Sequence, residues 1–127
     1  MRYMGFVKMA GDVGEAPPAL FEAMGEHVQR GFADGVLVDA GGLYATSCRT
    51  ELRVRGGQVT STDGPFAEAK EEVGGYAIIE VRDHAEAVEQ ARQLAELHRQ
   101  HWPEWEGAIE VRRIATPDEA GPGDAGH

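Results

Sequence analysis

The chain has 127 residues, of which 42% are apolar, and a formal net charge of −10 at neutral pH. This length and composition predict one domain with one hydrophobic core and exclude an intrinsically disordered chain. The negative charge argues against a nucleic-acid partner, because binding to a phosphate backbone depends on basic patches.

The first half of the chain predicts a strand, a helix and a second strand. Apolar residues on both faces favour a strand over residues 3–9. Apolar residues then recur at helical spacing over residues 18–34, and Gly35 is suited to end this helix. The apolar stripe consists of Phe21, Met24, Val28 and Phe32. A short apolar run predicts the second strand over residues 36–40.

A hairpin follows. Residues 48–55 alternate, with Leu52 and Val54 on one face and charged side chains on the other, which is typical of a half-buried strand. Gly56-Gly57 is a two-residue hairpin signal, and residues 58–60 are expected to pair back.

The second half predicts a strand, a helix and a final strand. An apolar run predicts a strand over residues 76–81, and Asp83 is a suitable N-cap for a helix over residues 84–99. Trp102 and Trp105 are expected to clamp the helix end to the sheet, before a last strand over residues 108–114.

This order, βαβ–hairpin–βαβ, predicts an α+β fold: a ferredoxin-like sandwich whose antiparallel sheet carries both helices on one face. The domain is expected to span residues 1–115. Residues 116–127 are polar and rich in Gly and Pro, and are predicted to form a flexible tail. The first strand and the strand over residues 76–81 are apolar on both faces, so the sheet face without helices would expose apolar side chains to water. This predicts a homodimer in which a second copy covers that face.

The segment between the hairpin and the next strand carries the most specific motif. Asp63-Gly64-Pro65-Phe66 predicts a tight turn that Asp63 caps, with Phe66 as a buried aromatic anchor. The motif continues as Ala67-Glu68, Lys70-Glu71 and Gly74-Gly75-Tyr76. It resembles the signature of the DGPF branch of the YCII-related proteins. The chain's opening Met1-Arg2-Tyr3-Met4 and closing Glu110-Val111-Arg112-Arg113 are similar to the family's pattern as well.

The resemblance implies a dimeric α+β barrel and a protein whose reaction is unassigned. It also implies an association with alternative sigma factors. Related proteins use a histidine of the first helix, but alignment on Ala33-Asp34-Gly35 places that histidine at Met24. Its catalytic role is therefore not transferred to His27.

Five residues are candidates for a site. Asp63 is the carboxylate best suited to act as a base or to orient a ligand. Alternatively, its side chain only caps the turn and has a structural role. His27 flanks the apolar stripe of the first helix, where it is a half-buried packing residue or a general acid/base at a pocket mouth. Tyr44, Phe66 and Lys70 are the candidate ligand-binding residues.

No metal and no cofactor are expected. His98 and His101 have no third ligand at metal-site spacing, so we predict histidines that face the carbonyls of a helix end. Cys48 is the single cysteine, which rules out an internal disulfide and favours a reducing, cytoplasmic location. Apolar runs are too short for a membrane span.

The sequence therefore predicts a small dimeric protein that binds a small molecule in a cavity between sheet and loops. One alternative is a lyase or isomerase that uses acid/base chemistry. Another is an accessory protein to an alternative sigma factor. Whether the chain is an enzyme is left open by its residues.

Overall fold

The structure is a computed structural model that describes residues 1–9, 14–45, 47–63 and 72–119. Its elements in chain order are β1 (Arg2–Met9), α1 (Pro18–Ala33), β2 (Leu37–Gly42), β3 (Thr50–Arg55), β4 (Gln58–Asp63), β5 (Glu72–Glu80), α2 (His84–His101) and β6 (Gly107–Arg113). Every predicted element is present, and the ends differ by a few residues.

Four of the strands form one antiparallel sheet in the order β2-β5-β1-β6. β1 is central and pairs with both β5 and β6, while β3 and β4 pair only with each other in a separate hairpin. Both helices pack on the sheet, α1 against β2 and α2 against β6, and they also touch each other. The predicted α+β, ferredoxin-like fold is confirmed.

The core lies between the sheet and the helices. One buried cluster joins the sheet to α2. It consists of Tyr3 of β1, Ile79 of β5, Val81 directly after β5, and Ala87 of α2. The Tyr3 hydroxyl lies 3.1 Å from Nδ1 of His84, so the only polar atom of this buried ring has a partner at the start of α2. Burial of this apolar cluster holds α2 against the sheet.

Local signals in the sequence place the ends of these elements correctly. Oδ1 of Asp83 accepts a 2.9 Å hydrogen bond from the backbone N–H of Glu86, which is the predicted N-cap. Gly56 and Gly57 both have positive φ, 59° and 75°, as a two-residue type I′ hairpin requires.

The end of α2 is held by the aromatic connector. His98 is buried, and its Nδ1 donates a 2.9 Å hydrogen bond to the carbonyl of Leu94, which confirms that it faces a helix carbonyl. Its ring lies 4.5 Å from that of Trp105, and Trp102 is buried beside this helix end. The two tryptophans therefore pack at the helix end, as predicted.

Neither helix in the described part of the chain is long and apolar enough to cross a membrane.

Candidate functional site

One candidate site is a pocket at the edge of the sheet, which we call the loop pocket. It has a volume of about 500 Å³. Its lining residues are Gly42, Leu43, Tyr44, Cys48, Arg49, Glu72 and Val73. They come from the end of β2, from the segment that leads into β3, and from the start of β5.

Antiparallel pairing of β2 with β5 brings these segments together. Gly42 lies opposite Gly75 in the register, and the backbone N–H of Leu43 donates a 3.0 Å hydrogen bond to the carbonyl of Gly74. The end of β2 is therefore tied to the start of β5.

An ion pair closes one side of the loop pocket. Nη1 of Arg49 lies 2.5 Å from a carboxylate oxygen of Glu72 and also donates to the carbonyl of Ala45 at 2.9 Å. Both charged side chains are largely covered, with exposed fractions of 26% and 21%. A shielded, hydrogen-bonded pair of this kind is a fixed wall, since separating it would leave a half-buried charge without its partner.

Two further side chains give the pocket its chemistry. Tyr44 is 79% exposed and presents an aromatic ring and a hydroxyl to the opening. Cys48 is exposed and has a positive φ of 55°, an uncommon backbone conformation for a residue other than glycine. The loop pocket thus combines an aromatic surface, a thiol and a charged pair.

Sequence reasoning identified Tyr44 as a ligand-binding candidate but did not identify Cys48, Arg49 or Glu72 as site residues. The missed signal lies in β5, which was predicted to begin at Tyr76 and begins at Glu72. Starting the strand earlier would have placed Glu72 beside the end of β2.

Asp63 does not line the loop pocket. It is the last residue of β4, and its Oδ1 accepts a 2.8 Å hydrogen bond from the hydroxyl of Thr50. The turn that it was predicted to cap, and the candidate residues Phe66 and Lys70, fall outside the described residues.

His27 lies elsewhere, at a smaller apolar pocket between the sheet and the helices that we call the inner pocket. Partial burial, together with the nearby positive charge of Arg30, holds the pKa of His27 below its ordinary value. His27 does not line the loop pocket, and Asp63 does not line the inner pocket.

Within the described ranges, no group of three or more His, Cys, Asp or Glu side chains is placed to hold a metal ion.

A four-stranded antiparallel sheet under two helices, with a pocket at the junction of two strands, defines a small α+β protein of ferredoxin-like topology. The YCII-related domain family matches residues 1–116. The chain is also 34% identical over 89 residues to an uncharacterized protein, R00369, of Rhizobium meliloti (strain 1021). That match covers 69% of this chain and 68% of the relative. The chain belongs to the YCII-related family.

Proposed function

We propose that this protein binds a small molecule in the loop pocket. The observation that carries the proposal is the pocket itself, whose volume of about 500 Å³ falls within the range of about 300–1,000 Å³ that is usual for small-molecule sites. Apolar side chains with a few fixed polar groups are the usual lining of such sites. Leu43, Val73 and the Tyr44 ring supply the apolar surface here, and the Arg49–Glu72 pair supplies the fixed polar wall.

The motif of residues 63–71 supports this position for the site. The motif starts at Asp63, which accepts a hydrogen bond from Thr50. It ends directly before Glu72, and Glu72 is a lining residue of the loop pocket. We propose that the chain belongs to the DGPF branch, and that Phe66 and Lys70 add an aromatic contact and a cation to the ligand site.

Cys48 offers a direct test. It is the single cysteine of the chain, it is exposed, and it lines the loop pocket, so a thiol reagent labels this site alone. Metabolites that raise the melting temperature in a thermal-shift screen are expected to slow the labelling of Cys48, because a bound molecule covers the thiol. If every stabilising compound leaves the labelling rate unchanged, the ligand site is not the loop pocket.

A matched pair of variants separates binding from folding. Tyr44→Ala should leave the melting temperature of the free protein nearly unchanged, because the ring is 79% exposed, yet weaken the ligand. Phe21→Ala removes another aromatic ring, 68% exposed on α1 and outside the pocket, and should leave binding intact. Equal affinity in the wild type and in Tyr44→Ala would contradict the proposal.

The enzymatic alternative rests on His27 and Asp63 as acid and base. Proton transfer between two side chains and one substrate requires both within hydrogen-bond reach of that substrate. Because His27 does not line the loop pocket and Asp63 does not line the inner pocket, we favour binding without an acid/base pair.

We also propose that the protein is a homodimer. Gly5, Ala77 and Val111 line the inner pocket under the helices, so their strand neighbours point to the opposite, open face of the sheet. The centre of that face is apolar and consists of Met4, Phe6, Tyr76 and Ile78. A second copy on this face would remove the apolar surface from water.

Polar contacts surround this apolar centre. The Tyr76 hydroxyl donates to Oδ2 of Asp39 at 3.3 Å, and Lys8 pairs with Glu110 at 3.1 Å. An apolar centre with a polar rim is the usual composition of a protein interface.

Sedimentation equilibrium tests the assembly. The wild-type protein should have twice the monomer mass at micromolar concentration, and Phe6→Asp should be a folded monomer, because a charge on the open face cannot be buried against its own copy. Arg112→Gln, on the same face but at an exposed position, serves as a control and should remain dimeric. A wild-type monomer would refute this part of the proposal.

A role as an accessory to a sigma factor is the second candidate, and one observation favours it. Leu52, Val54 and Val59 are 67%, 72% and 66% exposed, and they share one face of the β3–β4 hairpin. Leu52→Ser should then weaken the complex with a purified alternative sigma factor, with the dimer mass unchanged. Absence of any complex for the wild type would exclude this role.

A further inference from the structure

The inner pocket exists because small residues face one another across the core. The sheet contributes Gly5 and Ala77, α1 contributes Gly31, and α2 contributes Ala91. The remaining lining residues are Val36, Leu37, Ile79, Leu94, Ile109 and Val111, with His27 and Gln90 as the polar members. The resulting volume is about 60 Å³, several times what one water molecule needs.

His27 also lines a second cavity on the outer side of the helices. This outer groove lies between α1 and α2 and has a volume of about 360 Å³. Its other lining residues are Arg30, Glu89, Arg92, Gln93, Glu96, Leu97 and Gln100. The same imidazole therefore borders an apolar pocket on one side and a charged groove on the other.

Two arginines and two glutamates line the outer groove, but one of the glutamates pairs with an arginine outside it. Glu89 pairs with Arg92 at 3.7 Å, and Glu96 pairs with Arg99 at 2.7 Å. Among the described residues, no carboxylate lies within ion-pair distance of Arg30. A guanidinium without a carboxylate partner, next to a half-buried imidazole, is a position that favours an anion.

We infer that the inner pocket and the outer groove together bind a short-chain monocarboxylate, with its aliphatic chain in the inner pocket and its carboxylate at Arg30. The chain would lie among the side chains of Ala91, Leu94 and Ile109, where it is removed from water. His27 would border the ligand where its apolar and charged parts meet. This site is separate from the loop pocket and does not depend on the function proposed for it.

Titration with linear carboxylates tests the inference, with the imidazole NMR signals of His27 as the local readout. Affinity should rise from acetate to hexanoate by about fourfold for each added methylene, the equivalent of about 0.8 kcal/mol per buried CH₂, until the inner pocket is full. 1-Hexanol should bind more weakly than hexanoate, and hexylammonium more weakly still, since Arg30 attracts only the anion.

Variants separate the two halves of the site. Arg30→Gln changes an exposed residue, so the protein should fold normally, and it should weaken hexanoate about fivefold while leaving 1-hexanol unchanged, as expected for loss of a surface charge contact. Arg112→Gln makes the same change on the open sheet face and should have no effect. Ala91→Leu should abolish binding of both compounds, because it fills the inner pocket.

Two results would overturn the inference. The first is that hexanoate leaves the His27 signals unchanged at every concentration. This result would overturn the inference even if hexanoate slowed the labelling of Cys48, because the compound would then bind only in the loop pocket. The second is that Arg30→Gln and Arg112→Gln bind hexanoate equally well, which would mean that the carboxylate does not contact Arg30.

Discussion

The hydroxyl of Thr50 donates a 2.8 Å hydrogen bond to the carboxylate of Asp63, which joins the first residue of β3 to the last residue of β4. The two residues lie directly opposite each other in the hairpin register. Asp63 is also the first residue of the Asp-Gly-Pro-Phe motif. The motif therefore begins at a point that is fixed to the hairpin by a side-chain hydrogen bond as well as by the backbone ladder.

The first prediction concerns this hydrogen bond. Asp63→Ala should lower the free energy of unfolding by about 0.5–1.5 kcal/mol, the usual net value of one hydrogen bond. Asp63→Asn keeps an acceptor oxygen and should change stability little. A double-mutant cycle with Thr50→Val, measured by urea unfolding, should give a coupling energy of at least about 0.5 kcal/mol. A coupling energy near zero would show that the contact contributes nothing to stability.

The same Asp63→Asn variant separates the structural and functional interpretations of the aspartate. If Asp63 only supports the hairpin, a ligand found by Cys48 protection should bind the variant as it binds the wild type. A folded variant that no longer binds the ligand would instead place the charge of Asp63 in the site.

The second prediction concerns the start of β6. A Cβ at Gly107 would overlap the backbone carbonyl of Lys8 and the ring of Trp105. Gly107→Ala should therefore lower the free energy of unfolding by about 1–3 kcal/mol or more, as overpacking against rigid groups does. Gly25→Ala is the matched control, since a Cβ there meets nothing within 4 Å on α1. It should stabilise the protein by about 0.5–1 kcal/mol through helix propensity. Equal effects in thermal unfolding would contradict this account of the packing.

The third prediction concerns pH. Because partial burial and the charge of Arg30 lower the pKa of His27, the unfolded chain binds a proton at this residue more readily than the folded one. Stability from this residue is therefore fully present above the ordinary histidine pKa of 6.5 and falls as the pH drops through that value towards the lowered folded pKa. Glu89, Arg92 and Glu96 of α2 line the same groove and set the background charge there.

NMR titration of the imidazole checks the direction of this shift. His27→Gln should remove the part of the pH dependence that belongs to this window. Arg30→Gln should raise the pKa of His27 only part of the way, since burial is the larger cause. A wild-type pKa at or above the ordinary histidine value would contradict the assignment.

The fourth prediction concerns the C-terminal segment. Truncation after Thr116 removes a 3.3 Å ion pair between Arg113 and Glu119, whose side chains are 52% and 45% exposed. An exposed pair contributes about 0–1 kcal/mol, so the melting temperature should fall by a few degrees at most. A larger loss in differential scanning calorimetry would mean that residues beyond Thr116 contribute to the core, contrary to a domain that ends near residue 115.

Features governed by neighbouring residues were accessible from the sequence. Asp83 caps α2 because its side chain reaches a backbone N–H three residues away, and Gly56-Gly57 forms a hairpin because glycine tolerates positive φ. The failure at β5 has a tertiary cause. The strand was predicted to begin at Tyr76, yet Gly74 and Gly75 lie inside it, where the side chain of Met9 and the backbone of Gly41 leave no room for a Cβ without displacement.

The sequence by itself determined the order and type of the elements, the family motif and one exposed pocket residue, Tyr44, because these depend on local conformation and residue type. Only the tertiary structure decided which distant residues meet. Arg49, directly before β3, pairs with Glu72 at the start of β5, 23 residues further along the chain, and His27 borders two cavities because α1 packs against α2. The physical reason is that strand register and helix packing are set by long-range hydrogen bonds and apolar burial, which no short stretch of the chain encodes.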